Sequence, residues 1–400
     1  MHIVTSTDIL LPCAEDMGAW SVIACDQFTS EPEYWATAEA RAAEKPSTLS
    51  LMLPEAWLHT ARADGADGRI ADTMRRYLAE GVFQTVPDSF IYVERTLSDG
   101  RVRRGIVAAL DLEQYDFTGT QRASVRSTEG TVEERLPPRV NIRRGAPLEM
   151  PHTLLLMDDR TDSVLSLAEK AKDALEKVYD FDLMLGGGHI AGWRVSGETK
   201  AAVQSALDAL DNAALQREKY GDAAENGKLT FAVGDGNHSL AAAKRFWEEK
   251  RETLPENERE TDPARFALVE IENIHEPSLD FEPIHRVIFD TDTSAFAAEF
   301  TAHRTEWEAK DKTLGERVAA AESFCRAYIA AHCGYIDYIH GDDTARSLGE
   351  KPNCAAVLLP PVEKSGLFLS VLKNGALPKK SFSMGNARDK RYYLECRKIR

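Results

Sequence analysis

The residues best suited to chemistry form one short run, Gly234-Asp235-Gly236-Asn237-His238-Ser239. The run follows an apolar stretch at 229–233 that is predicted as a strand, and it opens a predicted helix that extends to about Lys250. Two glycines would let the backbone approach a ligand closely, and a helix start offers unpaired N–H groups and the positive end of the helix dipole. The pattern therefore predicts a turn that binds phosphate.

Each polar residue of this turn has an expected role. Asp235 is predicted to hold Mg²⁺, which proteins usually bind through one or two carboxylates together with phosphate oxygens. His238 is predicted to donate a hydrogen bond to a phosphoryl oxygen. The residues expected to contact a cofactor here are Gly234, Gly236, Asn237, Ser239 and Lys244. The alternative is a tight turn in which Asp or Asn caps the helix.

Two further acids are candidates for a general base that deprotonates a hydroxyl group. Glu129 lies in an arginine-rich stretch, where a solvated network of salt bridges is the alternative. Asp26 follows a predicted strand at 20–25, where a helix cap is the alternative. The remaining residues expected to contact phosphate are Arg126, Arg135, Arg286, Lys379, Lys380 and Ser381. The alternative for Arg286 is a structural ion pair. The alternative for residues 379–381 is a tail that is exposed to solvent.

Composition limits the classes of function. With 400 residues, of which 43% are hydrophobic, the chain can bury a large core. A net charge of −16 disfavours a nucleic-acid partner, which requires a basic surface. The charge is uneven: residues 373–400 hold nine Lys or Arg against two acids, so this tail carries 9 − 2 = +7 and the remainder −23. An anionic ligand is expected to meet a positive field there, and the aromatic residues of the tail indicate packing.

The apolar runs and the cysteines indicate the cellular compartment in which the protein is expected. The apolar runs fall well short of the roughly 20 residues that span a bilayer, and the first residues lack the pattern of a signal peptide. The six cysteines include no closely spaced pair, which favours free thiols. A cytoplasmic protein without a membrane partner is predicted.

Periodicity predicts a mixture of α and β elements. Residues 89–93 and 102–110 are predicted to form a hairpin, and 163–179 a helix. Three regions are expected: 1–115, 116–290 with the glycine-containing run, and 291–400 with the basic tail. One integrated domain is the alternative.

Four segments resemble the family described as domain of unknown function 1015. The central run is similar to its Asp-Gly-His-His-Arg signature, and the other three segments are 126–130 (RSTEG), 280–286 (DFEPIHR) and 377–381 (LPKKS). They occur in the order of the family's motifs and span nearly the whole chain. The resemblance implies an α/β fold of the mixed α+β kind, with mixed sheets and flanking helices.

The central turn also resembles the nucleotide-binding loop of the ParB and sulfiredoxin superfamily, which includes kinases of free serine. That likeness implies a nucleotide-binding core that uses ATP or ADP with Mg²⁺. This sequence departs from the loop at two positions: Asn237 replaces a His, and Ser239 replaces the Arg whose guanidinium would grip phosphate. Another basic residue must therefore supply that contact.

These features predict a nucleotide-dependent phosphotransferase that acts on a small hydroxylated metabolite, with free serine suggested by the resemblance. One alternative is a phosphatase of phosphoserine or a similar phosphomonoester, because the same residues serve hydrolysis. Another is a nucleotide-binding regulator without catalysis. The sequence leaves the oligomeric state open.

Overall fold

The computed structural model describes residues 2–119, 122–150 and 152–400. The strands of these ranges are β1 (Val4–Thr5), β2 (Thr7–Pro12), β3 (Val22–Ile23), β4 (Phe83–Thr96), β5 (Val102–Asp111), β6 (Tyr115–Asp116), β7 (Val125–Ser127), β8 (Leu148–Glu149), β9 (Leu154–Met157), β10 (Glu176–Asp182), β11 (His189–Val195), β12 (Phe231–Asp235), β13 (Phe266–Asn273), β14 (Phe281–Phe289), β15 (Tyr335–His340), β16 (Cys354–Val357), β17 (Phe382–Met384), β18 (Tyr392–Tyr393) and β19 (Arg397–Lys398).

The α-helices of the same ranges are α1 (Met17–Trp20), α2 (Pro32–Ala42), α3 (Ala66–Ala79), α4 (Leu136–Gly145), α5 (Leu165–Ala171), α6 (Gly197–Ala209), α7 (Ala213–Tyr220), α8 (Asn237–Thr253), α9 (Thr293–His303), α10 (Thr305–Glu308), α11 (Leu314–His332), α12 (Asp342–Gly349) and α13 (Leu367–Asn374).

A large mixed sheet forms the centre of the molecule. Its strand order is β10-β11-β4-β5-β13-β9-β12-β7-β6, with β1 added to β5 and β2 added to β4. The strand before the central turn, β12, runs parallel to β7 and antiparallel to β9. The predicted hairpin is confirmed, since Ile91 pairs with Val107 in the antiparallel β4–β5 ladder. The predicted boundary at residue 115 falls within this sheet.

Both faces of the large sheet are covered by helices. Successive residues of β4 point to opposite faces: Phe90 and Tyr92 join one core, and Ile91 and Val93 join the other. The first core includes residues of α4, α5, α6 and α8, and the second includes residues of α2 and α3. The buried runs of β4 therefore have the continuous apolar pattern of a strand covered on both sides. The predicted mixed α/β class is confirmed.

A smaller sheet follows in the chain. Strand β14 pairs antiparallel with β15, β16 and β17. Helices α9 and α11 contribute Phe296, Val318 and Phe324 to the core that packs against Ile288 of β14. This second sheet supports the segment around residue 381, because Pro283 pairs with Phe382.

The C-terminal segment returns to the large sheet. Strand β18 pairs with β3, and β19 pairs with β8. Tyr392 and Tyr393 are buried, which confirms that the tail packs. The expectation of a field from the whole tail is too broad, because Arg391 pairs with Glu270 and Arg397 pairs with Glu149 inside the protein. Across the part of the chain that the structure describes, the helices are too short or too polar to cross a bilayer.

Candidate functional site

The central turn connects β12 to α8 through Gly236. This residue has a φ of +77°, a conformation that glycine adopts without strain. A Cβ atom at Gly236 would lie 2.9 Å from the Cα atom of Thr153, and one at Gly234 would lie 2.5 Å from the Sδ atom of Met384. Protein atoms thus fill the space beside both glycines. Packing alone is therefore enough to explain both glycines, and a close approach of the backbone to a ligand stays a prediction.

The start of α8 has unpaired backbone donors. Its N-cap is Gly236, and no side chain caps the helix. Asp235 bonds to the N–H group of Gly236 through Oδ1, at 2.9 Å, and does not reach into the first turn. The alternative of an Asp or Asn cap is therefore wrong. Unpaired N–H groups at the start of a helix of 17 residues favour a bound anion.

His238 is a neutral donor in a positive environment. Its Nε2 atom accepts a hydrogen bond from the N–H group of Val132 at 3.2 Å, so the proton of the neutral ring is assigned to Nδ1. Burial lowers the pKa of His238 to about 4, and nearby cations add to this effect against the opposing charge of Asp26. These cations are Arg139, Arg135 and Lys379. Of these, Arg139 is paired with Glu55, whereas the exposed Arg135 and Lys379 can attract an anion to this side of the ring.

Glu129 lies against a turn formed by Lys380 and Ser381. The N–H group of Ser381 donates to Oε1 of Glu129 at 3.3 Å, and the N–H group of Lys380 also donates. Burial raises the pKa of Glu129, the negative charge of Asp235 adds to the increase, and the contacts of the turn oppose it. A carboxyl group with a raised pKa and a charged neighbour is suited to proton transfer.

Asp26 lies beside a hydrogen-bonded pair, His152 and Tyr393, that the sequence does not indicate. Its Oδ2 atom lies 3.9 Å from Nε2 of His152, whose Nδ1 atom lies 2.8 Å from the hydroxyl oxygen of Tyr393. Burial alone would raise the pKa of Asp26, but the electrostatic interaction with His152, the hydrogen bond from Gln27 and the charge of Lys390 overcome it and hold the pKa below its usual range. Asp26 therefore stays ionised.

Lys390 connects the two aspartates. Its Nζ atom lies 3.2 Å from Oδ2 of Asp235, with 12% and 18% of the two side chains exposed, and its charge also lowers the pKa of Asp26. Lys390 reaches this position because the tail pairs with β3, next to Asp26. The site thus combines carboxylates with cations from distant segments.

Three of the four segments that resemble family motifs meet here. The N–H group of Leu377 donates to the carbonyl oxygen of Thr128 at 2.7 Å. The N–H group of Gly130 donates to the carbonyl oxygen of Leu377 at 3.2 Å. The hydroxyl group of Thr128 donates to the carbonyl oxygen of Val233 at 2.6 Å, immediately before the turn. The fourth segment, residues 280–286, belongs to the second sheet, where Phe281 of β14 pairs with Met384 of β17.

Three predicted phosphate contacts are engaged elsewhere, which corrects their assignment. Lys244 is buried and donates to the carbonyl oxygen of Leu112 at 2.9 Å. Arg126 donates to backbone carbonyl groups, including that of Asn226 at 3.1 Å. Arg286 is fully buried in the second sheet and pairs with Glu322 at 3.2 Å, the structural alternative.

The other predicted residues stay candidates. Asn237 and Ser239 are half-buried at the start of α8, and the Oδ1 atom of Asn237 is buried without a hydrogen-bond partner. Arg135, Lys379 and Lys380 are exposed beside the site.

Two residues of this site, His152 and Tyr393, were not predicted from the sequence. Arg139 and Lys390 lie in the arginine-rich stretch and in the basic tail, for which contact with an anion was predicted. Lys390 and Arg139 belong to basic segments whose charge is visible in the sequence, whereas no local pattern distinguishes His152 or Tyr393.

The described residues do not fit a protein-held Mg²⁺ at Asp235. One carboxylate oxygen accepts from Gly236, and the other pairs with the ammonium group of Lys390. Ranges 2–119, 122–150 and 152–400 contain no group of three or more His, Cys, Asp or Glu side chains placed to hold a metal ion. Lys390 instead places a positive charge beside Asp235.

Comparisons with known proteins identify the family. No curated protein matches the chain. A conserved hypothetical protein from Pyrococcus furiosus matches with 9% identity and a TM-score of 0.33, over 73% of this chain and 95% of that chain. A free serine kinase in complex with AMP matches with 10% identity and a TM-score of 0.35, over 72% and 90%. SbnI from Staphylococcus aureus, truncated at its C-terminus, matches with 10% identity and a TM-score of 0.31, over 70% and 82%.

A family model covers nearly the whole chain and confirms the predicted resemblance to this family. Its description is "Protein of unknown function (DUF1015)", and it matches residues 8–398. The chain therefore belongs to this family.

Proposed function

We propose that this protein is a nucleotide-dependent phosphotransferase that acts on a small hydroxylated metabolite. The observation that carries the proposal is the uncapped start of α8 in a positive field, next to two carboxyl groups whose pKa values are shifted in opposite directions. Phosphoryl transfer requires mainly positioning and neutralisation of charge. The helix start and the cations around His238 supply both.

The two carboxyl groups have different roles in this proposal. Divergent pKa values in one site assign the proton-transfer role to the group with the raised pKa. Glu129 is therefore the general base, and its raised pKa follows from burial and the charge of Asp235. Asp26 remains ionised beside His152 and orients the acceptor.

The proposed reaction is a direct transfer. The acceptor oxygen attacks the terminal phosphorus of ATP or ADP while Glu129 takes its proton. The bond between that phosphorus and the bridging oxygen breaks, and the products are a phosphomonoester and the shortened nucleotide. His238 donates from Nδ1 to the transferred group, and Lys390 and the start of α8 neutralise its charge. No step is assigned to Mg²⁺.

A turnover assay tests the proposal. The purified chain is incubated with ATP or ADP and a panel of hydroxylated compounds that includes serine, and products are followed by ³¹P NMR. Formation of AMP or ADP that depends on the acceptor supports the proposal. Glu129→Gln is the matched variant, because it keeps the size of the side chain and removes the base.

Two other results would replace the proposal. Release of phosphate from phosphoserine without nucleotide would identify a phosphatase. Nucleotide binding without turnover on any hydroxylated compound would identify a regulator.

A further inference from the structure

An apolar cavity of about 180 Å³ lies beside the start of α8. Its walls include Met52, Met74 of α3, Ile142 of α4 and Ala243 of α8. An engineered cavity of about 150 Å³ with aliphatic walls takes up benzene. The cavity therefore has room for one aromatic ring or a branched aliphatic group.

The arginine and glutamate side chains of the wall form ion pairs, although the buried Nε atom of Arg143 has no hydrogen-bond partner. Arg139 forms an ion pair with Glu55, and Arg143 pairs with Glu149 at 2.5 Å between Nη2 and Oε2. A polar ligand would have to compete with these pairs, because a buried polar group requires a partner. An apolar group requires none, so the wall favours an apolar occupant.

The cavity shares residues with the candidate site. Cys25, which lines it, precedes Asp26, and Ser239, which also lines it, follows His238. His152 lines it as well and lies 3.9 Å from Asp26. A single ligand can therefore place a polar end at Asp26 and the start of α8 and an apolar end in the cavity.

We propose that this cavity binds an apolar group of the substrate. The inference rests on the proposed function and makes the substrate class more specific: a hydroxylated metabolite with an aryl or branched aliphatic group, and the phosphomonoester made from it. Free serine has no such group and leaves the cavity empty.

Binding of matched phosphate esters tests this inference. The full chain is titrated calorimetrically with inorganic phosphate, methyl phosphate and phenyl phosphate. The two esters present the same phosphate group and differ mainly in their apolar part. Burial of a ring predicts that phenyl phosphate binds about tenfold tighter than methyl phosphate, or more. Equal affinities of the two esters would overturn the inference and leave the phosphate site intact. Failure of all three probes to bind would instead overturn the proposed function.

Variants of the wall locate the effect. Ala243→Leu fills the cavity, so phenyl phosphate and methyl phosphate should bind with about equal affinity. The affinity for inorganic phosphate should not change. Ala201→Leu makes the same change at an exposed position of α6 and keeps the preference. Met52→Ala, at another residue of the lining, reduces the preference about threefold and provides a second measurement if Ala243→Leu does not fold. An unchanged preference in folded Ala243→Leu protein, or in Met52→Ala, would overturn the assignment.

Discussion

The pair between Asp235 and Lys390 offers a direct test of how the site binds phosphate. If Lys390 serves the anion, the carboxylate of Asp235 opposes binding. A like charge a few ångströms from a bound phosphate costs about 1 kcal/mol even at the dielectric constant of water. Asp235→Asn is therefore expected to tighten phosphate binding about fivefold or more, and Lys390→Met to weaken it by a similar factor. If Asp235 instead held Mg²⁺, Asp235→Asn would weaken binding.

The same pair has a measurable effect on stability. Both side chains are mostly buried, with 18% of Asp235 and 12% of Lys390 exposed. Removal of one partner from a fully buried pair costs about 3–5 kcal/mol, and the residual exposure here reduces the expected loss for Lys390→Met to about 2 kcal/mol. The double variant removes both charges, so it should regain most of this loss.

Calorimetric titration with inorganic phosphate and urea unfolding give the two sets of values. The matched control is Asp262→Asn, which removes the acid from an ion pair with Lys250 at 2.7 Å, with 11% and 24% of the side chains exposed. Lys250 lies near the other end of α8, about 20 Å along its axis, so phosphate affinity should not change. Weaker, Mg²⁺-dependent phosphate binding by Asp235→Asn would refute the role given to Lys390. If the double variant lost as much stability as the two single variants together, Asp235 and Lys390 would not be energetically coupled.

The remaining predictions concern protons, metal and a buried pair. Because the pKa of folded His238 is about 4 and its ordinary value is 6.5, the unfolded chain binds the proton first as pH falls. The free energy of unfolding should therefore decrease by at most about 3 kcal/mol between pH 6.5 and 4. In urea unfolding across this pH range, the free energy of unfolding of His238→Gln should depend less steeply on pH. Glu129→Gln should reduce turnover about 10²–10⁴-fold without weakening phosphate binding; an unchanged rate would exclude it as the base. EDTA should leave phosphate affinity unchanged, since Lys390 supplies the charge at Asp235; loss of binding on calorimetric titration would contradict this. Arg286→Met should destabilise the protein by about 2 kcal/mol in urea unfolding because it removes a buried, charge-assisted hydrogen bond to Glu322, which keeps its contacts with Arg326 and Tyr338. Phosphate affinity of the folded protein should persist, and a selective loss of binding would return Arg286 to the site.

Local patterns predicted those elements that depend on local residues. The hairpin of β4 and β5 and the strand, turn and helix at 229–253 follow from apolar spacing and turn residues. The helix predicted over 163–179 is only partly correct, because α5 ends at Ala171 and 176–182 form β10. That segment has helical spacing, but its pairing with β11 decides its conformation. Tertiary pairing overrides local propensity there.

The same reason explains which site residues could be found. Asp235 and His238 stand in one turn, so a single pattern indicates them. His152 and Tyr393 are separated by 241 residues and act together only because the tail pairs with β3. The sequence alone does not distinguish the positive charges of Arg286 and Lys390. In the structure, Arg286 is buried in the second sheet, whereas Lys390 pairs with Asp235. Charge along a sequence does not specify which side chains remain available.

The path of the tail couples the candidate site to the core. Lys390 is followed directly by Arg391, which is buried against Glu270 and Glu395, and by Tyr392, which pairs with β3. Burial of these neighbours fixes the backbone from which Lys390 extends to Asp235. An ammonium group held in this way loses little further side-chain freedom when an anion binds, which favours binding. In the proposed function, the buried ion pairs of the tail therefore act by positioning one cation rather than by contacting the anion themselves.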